Sequence, residues 1–117
     1  MIKKSLQTKI ENLAENKDWQ THFYEQGNKT VVEFENYTYR GQNLIVTIVV
    51  DNQSTQNNIA NALYDYWEGY DPDEEASYWI GPDGHGKNGA PYHISDIIDD
   101  MKEAERMIEE LYLEMTL

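Results

Sequence analysis

The chain has 117 residues, 22 of them acidic and 9 of them Lys or Arg, for a formal net charge of −13. That length suits one domain with a single modest core, and the nine Tyr, three Trp and two Phe argue against a disordered acidic tail. There is no cysteine, which excludes disulfides and thiolate metal sites and makes the cytosol the expected compartment. The charge is lopsided: residues 1–50 carry six acids and six bases, residues 51–117 sixteen acids and three bases, with no Lys or Arg between Arg40 and Lys87. A field of that sign repels nucleic acid and anionic lipid and attracts basic surfaces.

Met1-Ile2-Lys3-Lys4 opens with basic residues, but Ser5-Leu6-Gln7-Thr8-Lys9 supplies no apolar core for a signal peptide, and no run reaches the ~18 apolar residues of a membrane span. A soluble protein is expected. Leu6, Ile10, Leu13 and Ala14 mark one face of a first helix over residues 5–16, with Ser5 as its expected cap. Trp19–Tyr24 and Thr30–Glu35 alternate as strands around a Gly27-Asn28 hairpin. Leu44–Val50 is β-branched at six of seven positions, which reads as a central strand covered on both faces or nearly so. Ser54 is positioned to cap a second helix carrying Ile59, Ala62, Leu63, Tyr66 and Tyr70, which closes at Gly69.

The segment 71–92 holds all three prolines and is expected to be an irregular acidic connection with one short helical turn near Asp73–Trp79. Ser95 then caps the clearest helix, striped by Ile94, Ile97, Ile98, Met101, Ala104, Ile108, Leu111 and Met115. The predicted architecture is a single α+β domain over residues 1–117: an N-terminal helix, a three-stranded antiparallel sheet, then two helices, the last one long, packed on one face.

Motifs of chemistry are weak. Gly81-Pro82-Asp83-Gly84-His85-Gly86-Lys87-Asn88 approaches a phosphate-binding loop, but it lacks the hydroxyl residue, a strand of adequate length before it and a helix after it. It reads as a turn-rich loop. Asp71-Pro72-Asp73-Glu74-Glu75 fails calcium-loop spacing, with Ala76 at the sixth position and Pro82 at the twelfth, so a solvated acidic surface is the simpler reading. His22, His85 and His93 match no metal spacing, and no nucleophile elbow or plainly desolvated carboxylate pair is present. No catalytic residue, metal ligand or cofactor is assigned.

Tyr64–Asp71 and Tyr78-Trp79 interleave aromatic rings with acids inside the stretch that lacks positive charge. Some of those rings are needed for the core. Exposed Tyr and Trp among carboxylates also make an interface for Arg and Lys. The candidate partner-binding set is therefore Asp65, Trp67, Glu68, Tyr70, Asp71, Asp73, Glu74, Glu75, Tyr78, Trp79 and Asp83. A secondary acidic face on the last helix comprises Asp99, Asp100, Glu103 and Glu110. Two such surfaces on one small domain can reproduce the charge spacing of a nucleic-acid groove.

In size, acidity and aromatic-acidic patches the chain resembles the small, cysteine-free anti-defence proteins of phages and conjugative elements, the anti-CRISPR and DNA-mimicking antirestriction inhibitors. The run Tyr70-Asp71-Pro72-Asp73-Glu74-Glu75-Ala76 through Gly89-Ala90-Pro91 and the helix after it, about two-fifths of the chain, is similar to the C-terminal part of small proteins from such elements. The resemblance implies a non-catalytic inhibitor in the cytoplasm of a bacterial host, whose carboxylates stand in for phosphates in the basic DNA-binding groove of a nuclease. An acidic adaptor or immunity-type protein that binds one basic partner is the alternative. Neither reading calls for direct binding to nucleic acid or membrane, and oligomeric state is left open.

Overall fold

A computed structural model describes residues 1–117. The order of elements is α1 (Lys4–Glu15), β1 (Gln20–Gln26), β2 (Lys29–Tyr37), β3 (Asn43–Asp51), α2 (Gln56–Glu68), α3 (Pro72–Ser77) and α4 (Ile94–Glu114). The fold is α+β as expected, with α3 as a third helix after the sheet. No helix is long and apolar enough to cross a membrane.

The sheet is an antiparallel meander in the order β1-β2-β3. A two-residue turn closes the first hairpin, where Gln26 pairs with Lys29 and Gly27 takes φ 60°, the left-handed conformation a II′ turn requires at its first position. Period-2 alternation then sends Val32, Phe34, Leu44, Val46, Ile48 and Val50 to one face, where they are buried. Ile10 and Ala14 of α1, Ile59, Ala60 and Leu63 of α2, and Ala104, Ile108 and Leu111 of α4 complete that core together with Ile2, Trp19 and Met115. Each large side chain removed from water there contributes about 1.5–3 kcal/mol.

Leu44–Val50 is not the central strand. β2 occupies the centre, and β3 is an edge strand buried on one face only, its residues alternating exposed and buried along the whole length. The run looked doubly covered because its solvent-facing positions include Ile45 and Val49, which are 45% and 50% exposed.

Helix starts also differ from expectation. Thr55, not Ser54, caps α2 in a reciprocal capping box: its N–H donates to Asn58 Oδ1 at 2.8 Å while its hydroxyl accepts from the Asn58 N–H. Ser95 lies inside α4, whose first turn is closed by the His93 carbonyl accepting from Asp96 and Ile97 N–H. Lys3 rather than Ser5 precedes α1, with no side-chain cap.

Residues 71–92 are ordered by more bonds than an irregular connection would have. Asp71 caps α3 by accepting from the Asp73 N–H at 3.0 Å, and Pro72 fills the first helical position, where no N–H is needed. Beyond α3 the chain folds back on itself: Lys87 N–H donates to Trp79 C=O at 2.9 Å, Gly81 N–H to His85 C=O at 2.7 Å, and Gly86 N–H to Tyr92 C=O at 3.1 Å. The His85 and Tyr92 rings stack at 3.9 Å. Ala76 of α3 and Ile97 and Met101 of α4 form a separate small core, sealed by Trp79, Ile80, Ala90 and Ile98.

Candidate partner-binding surface

Four carboxylates fall within five residues at the start of α3, namely Asp71, Asp73, Glu74 and Glu75. No Lys or Arg pairs with any of them; the chain's side-chain ion pairs are Arg40 with Asp96 and Arg106 with Glu103 and Glu110. Asp73 and Glu74 are exposed, and the hydroxyl of Tyr78, a residue 61% exposed, lies 3.4 Å from Glu74 Oε1, one turn back. An unneutralised acidic knuckle with an exposed phenol beside it suits a guanidinium or ammonium partner.

Glu75 differs from its neighbours. It turns toward the junction with α2, where burial first, then the Glu74 and Asp71 charges, raise its pKa above the ordinary value. Burial, followed by the Glu75 charge, likewise pushes up the phenols of Tyr66 and Tyr70. Tyr70 also senses Glu105 and Asp100 of α4, and its hydroxyl donates to Met101 Sδ at 3.6 Å. Glu75, Tyr70 and Glu105 therefore cluster where α2, α3 and α4 meet. Glu105 was not among the sequence candidates; its i+4 spacing from the buried Met101 is the signal that places it on this side of α4.

The other candidates scatter. Asp65 lies apart from α3, in a groove of about 510 Å³ between α2 and β3 that it shares with Asp51, Asn58 and Asn61. Glu68 is exposed beside Tyr64, whose phenol pKa it raises, and the Tyr64 ring contacts Trp67 at 5.8 Å and Tyr112 at 5.3 Å. Trp67 and Trp79 are half-buried, Trp67 against the main core and Trp79 against the small one, so their rings serve packing more than a free surface. Asp83 accepts from the His85 N–H at 3.1 Å and shapes its own turn.

On α4 the secondary face loses one member. Asp100 is fully buried, where its carboxylate accepts from Thr38 Oγ1 at 2.6 Å and faces the Arg40 N–H at 3.4 Å. It is a structural tie between α4 and the β2–β3 turn. Asp99 remains exposed, while Glu103 and Glu110 converge on the Arg106 guanidinium and are partly neutralised. Nowhere do three or more His, Asp or Glu side chains come together in a way that could hold a metal ion.

Comparison with protein-family models, with curated proteins and with solved structures finds no match to this chain.

Proposed function

We propose that this protein is a non-catalytic inhibitor of a host nucleic-acid-targeting defence enzyme, an RNA-guided nuclease or a restriction enzyme, and that it occupies the enzyme's basic DNA-binding groove. The observation that carries this reading is the α3 knuckle: Asp71, Asp73, Glu74 and Glu75 stand without a cationic partner on a chain of net charge −13. A groove that reads duplex DNA presents Arg and Lys at phosphate spacing, and carboxylates held on a short helix satisfy the same donors. Tyr78 supplies ring area for a stacked Arg beside the knuckle, and Asp99 on α4 and Glu68 on α2 are exposed carboxylates that add to the negative field of the whole molecule.

The test is a pull-down from host lysate at ~0.05 M and ~0.5 M salt, followed by competition with duplex DNA. Charge-dominated association weakens steeply with ionic strength. A captured nuclease that is released both by salt and by DNA supports the proposal. A partner that DNA does not displace supports the acidic adaptor instead, and salt-insensitive capture removes phosphate mimicry altogether. Within the protein, charge reversal at Asp71, Asp73, Glu74 and Glu75 is expected to weaken the complex far more than reversal at Glu11 and Glu15 of α1.

A further inference from the structure

β3 presents a nine-residue free edge, Asn43–Asp51, and its sequence is nearly symmetric about Thr47. Reading outward from Thr47, Val46 mirrors Ile48, Ile45 mirrors Val49, Leu44 mirrors Val50 and Asn43 mirrors Asp51. We infer that this edge joins a second copy of the chain, β3 against β3 in antiparallel register centred on Thr47, to give a continuous six-stranded sheet with two-fold symmetry.

The hydrogen-bonding parity agrees with that centre. Thr38 N–H donates to Gln42 C=O and Asn52 N–H to Asn28 C=O, and both bonds lie on the same pairing diagonal as the β2–β3 register. The even-numbered residues of β3 are thus the ones bonded to β2. Alternation then leaves the N–H and C=O groups of Asn43, Ile45, Thr47 and Val49 and the N–H of Asp51 pointing at the free edge, the Asp51 C=O already accepting from the Ser54 N–H at 2.9 Å. A two-fold axis at Thr47 pairs those same residues with one another, for about eight backbone hydrogen bonds between the copies.

Side chains agree as well. Leu44, Ile48 and Val50 retain 9%, 5% and 7% exposure on the core face, and each meets an aliphatic residue of the other copy. On the open face Ile45 meets Val49, a β-branched cross-strand pair that covers two otherwise wet hydrophobes. No like charges stand opposite each other, since Asp51 faces Asn43. The edge is thinly protected: β3 has no Pro, Lys, Arg or Gly, its one charge, Asp51, sits at the strand's end, and the groove beside Val49–Asp51 is open rather than filled by α2. β1, the other edge, is shorter and carries His22 and Glu25.

A second copy also carries the full charge, so the two repel, and added salt should tighten this contact. That is opposite in sign to the complex with a cationic groove, so failure of either idea leaves the other standing. Sedimentation equilibrium on the full chain is expected to show mass rising from 13.7 kDa to twice that value with concentration, more readily at ~0.5 M salt than at ~0.05 M.

Cysteine variants then read the register, since the chain has none of its own. Thr47→Cys should oxidise to a dimer, because paired Cα atoms lie about 5.5 Å apart and a disulfide spans that distance. Ile45→Cys alone should not, as its two copies would sit about 14 Å apart, whereas mixing it with Val49→Cys should give mixed dimers. Thr47→Asp, at an exposed site in the same cross-strand row as Glu33, should weaken self-association at least tenfold. A constant 13.7 kDa up to ~1 mM in high salt, equal cross-linking at positions 45 and 47, or a Thr47→Asp variant that associates like the parent would each overturn the inference.

Discussion

Asp100→Ala tests the reassignment of Asp100 from acidic surface to buried tie. In the parent, the Asp100 carboxylate accepts the Thr38 hydroxyl, and Thr38 Oγ1 in turn accepts from the Gln42 N–H at 3.0 Å. Gln42 is itself buried, and its side-chain amide reaches the Gly89 carbonyl at 3.0 Å. Removing the carboxylate therefore deletes a charge-assisted bond, worth about 1.5–3 kcal/mol, and leaves a buried hydroxyl without its acceptor. The combined loss should be about 2–4 kcal/mol, or a fall in Tm of roughly 8–16 °C at about 4 °C per kcal/mol for a domain of this size. Asp100→Asn keeps an acceptor oxygen in place and should lose less than half as much. The neighbouring Asp99→Ala, at an exposed site, should stay within about 0.5 kcal/mol of the parent. Urea denaturation at pH 7, monitored by tryptophan fluorescence, measures all three. Equal midpoints for Asp99→Ala and Asp100→Ala would refute the assignment.

Gly86→Ala should disturb the 79–92 turn, because a Cβ there would lie 1.9 Å from the Pro91 carbonyl oxygen and the backbone would have to move. A loss of about 1–3 kcal/mol is expected, with disruption of the His85–Tyr92 stack visible in the aromatic NMR shifts. Glu75→Gln should stabilise the protein at pH 7 by under about 1 kcal/mol, a figure discounted for solvent screening of a partly exposed group. The folded state raises the Glu75 pKa above its ordinary 4.5, so the contribution of this carboxyl is fully favourable below the unfolded pKa and fades as pH rises through the folded one. The variant's advantage over the parent should accordingly grow from pH 4 to pH 7 in thermal melts, and an advantage that shrinks over that range would contradict the sign. Asp71 allows cap and charge to be separated: Asp71→Asn should keep α3 folded yet weaken partner binding, whereas Asp71→Ala should also cost about 1 kcal/mol of local stability, read as faster amide exchange at Glu74 and Glu75.

Periodicity carried most of the fold. Alternation around Gly27-Asn28 located β1 and β2, and the stripe from Ile97 to Met115 located α4, because burial on one side imposes the same spacing on both sequence and structure. The position of β3 was not legible, since Ile45 and Val49 are apolar where a half-buried strand would ordinarily be polar. Local pattern could not choose between adjacent hydroxyls at Ser54 and Thr55; the Asn58 side chain decided it. At the candidate surface, the α3 acids were readable as a run, but the burial of Asp100 depends on Thr38, 62 residues earlier, which no local window contains. Trp67 and Trp79 likewise looked available for contact only because their packing partners lie on other elements.

The division of the interior into two unequal clusters gives the domain two tiers of resistance to opening. Seventeen buried residues lock the sheet to α1, α2 and the C-terminal half of α4, whereas α3 and its following turn rest on Ala76, Ile97 and Met101. Opening free energy scales with the apolar contact that must be broken. The carboxylate knuckle thus rides on the part of the molecule that yields first. It can reshape itself against a partner while the meander beneath keeps its register, so adaptability and durability reside in separate halves of one helix.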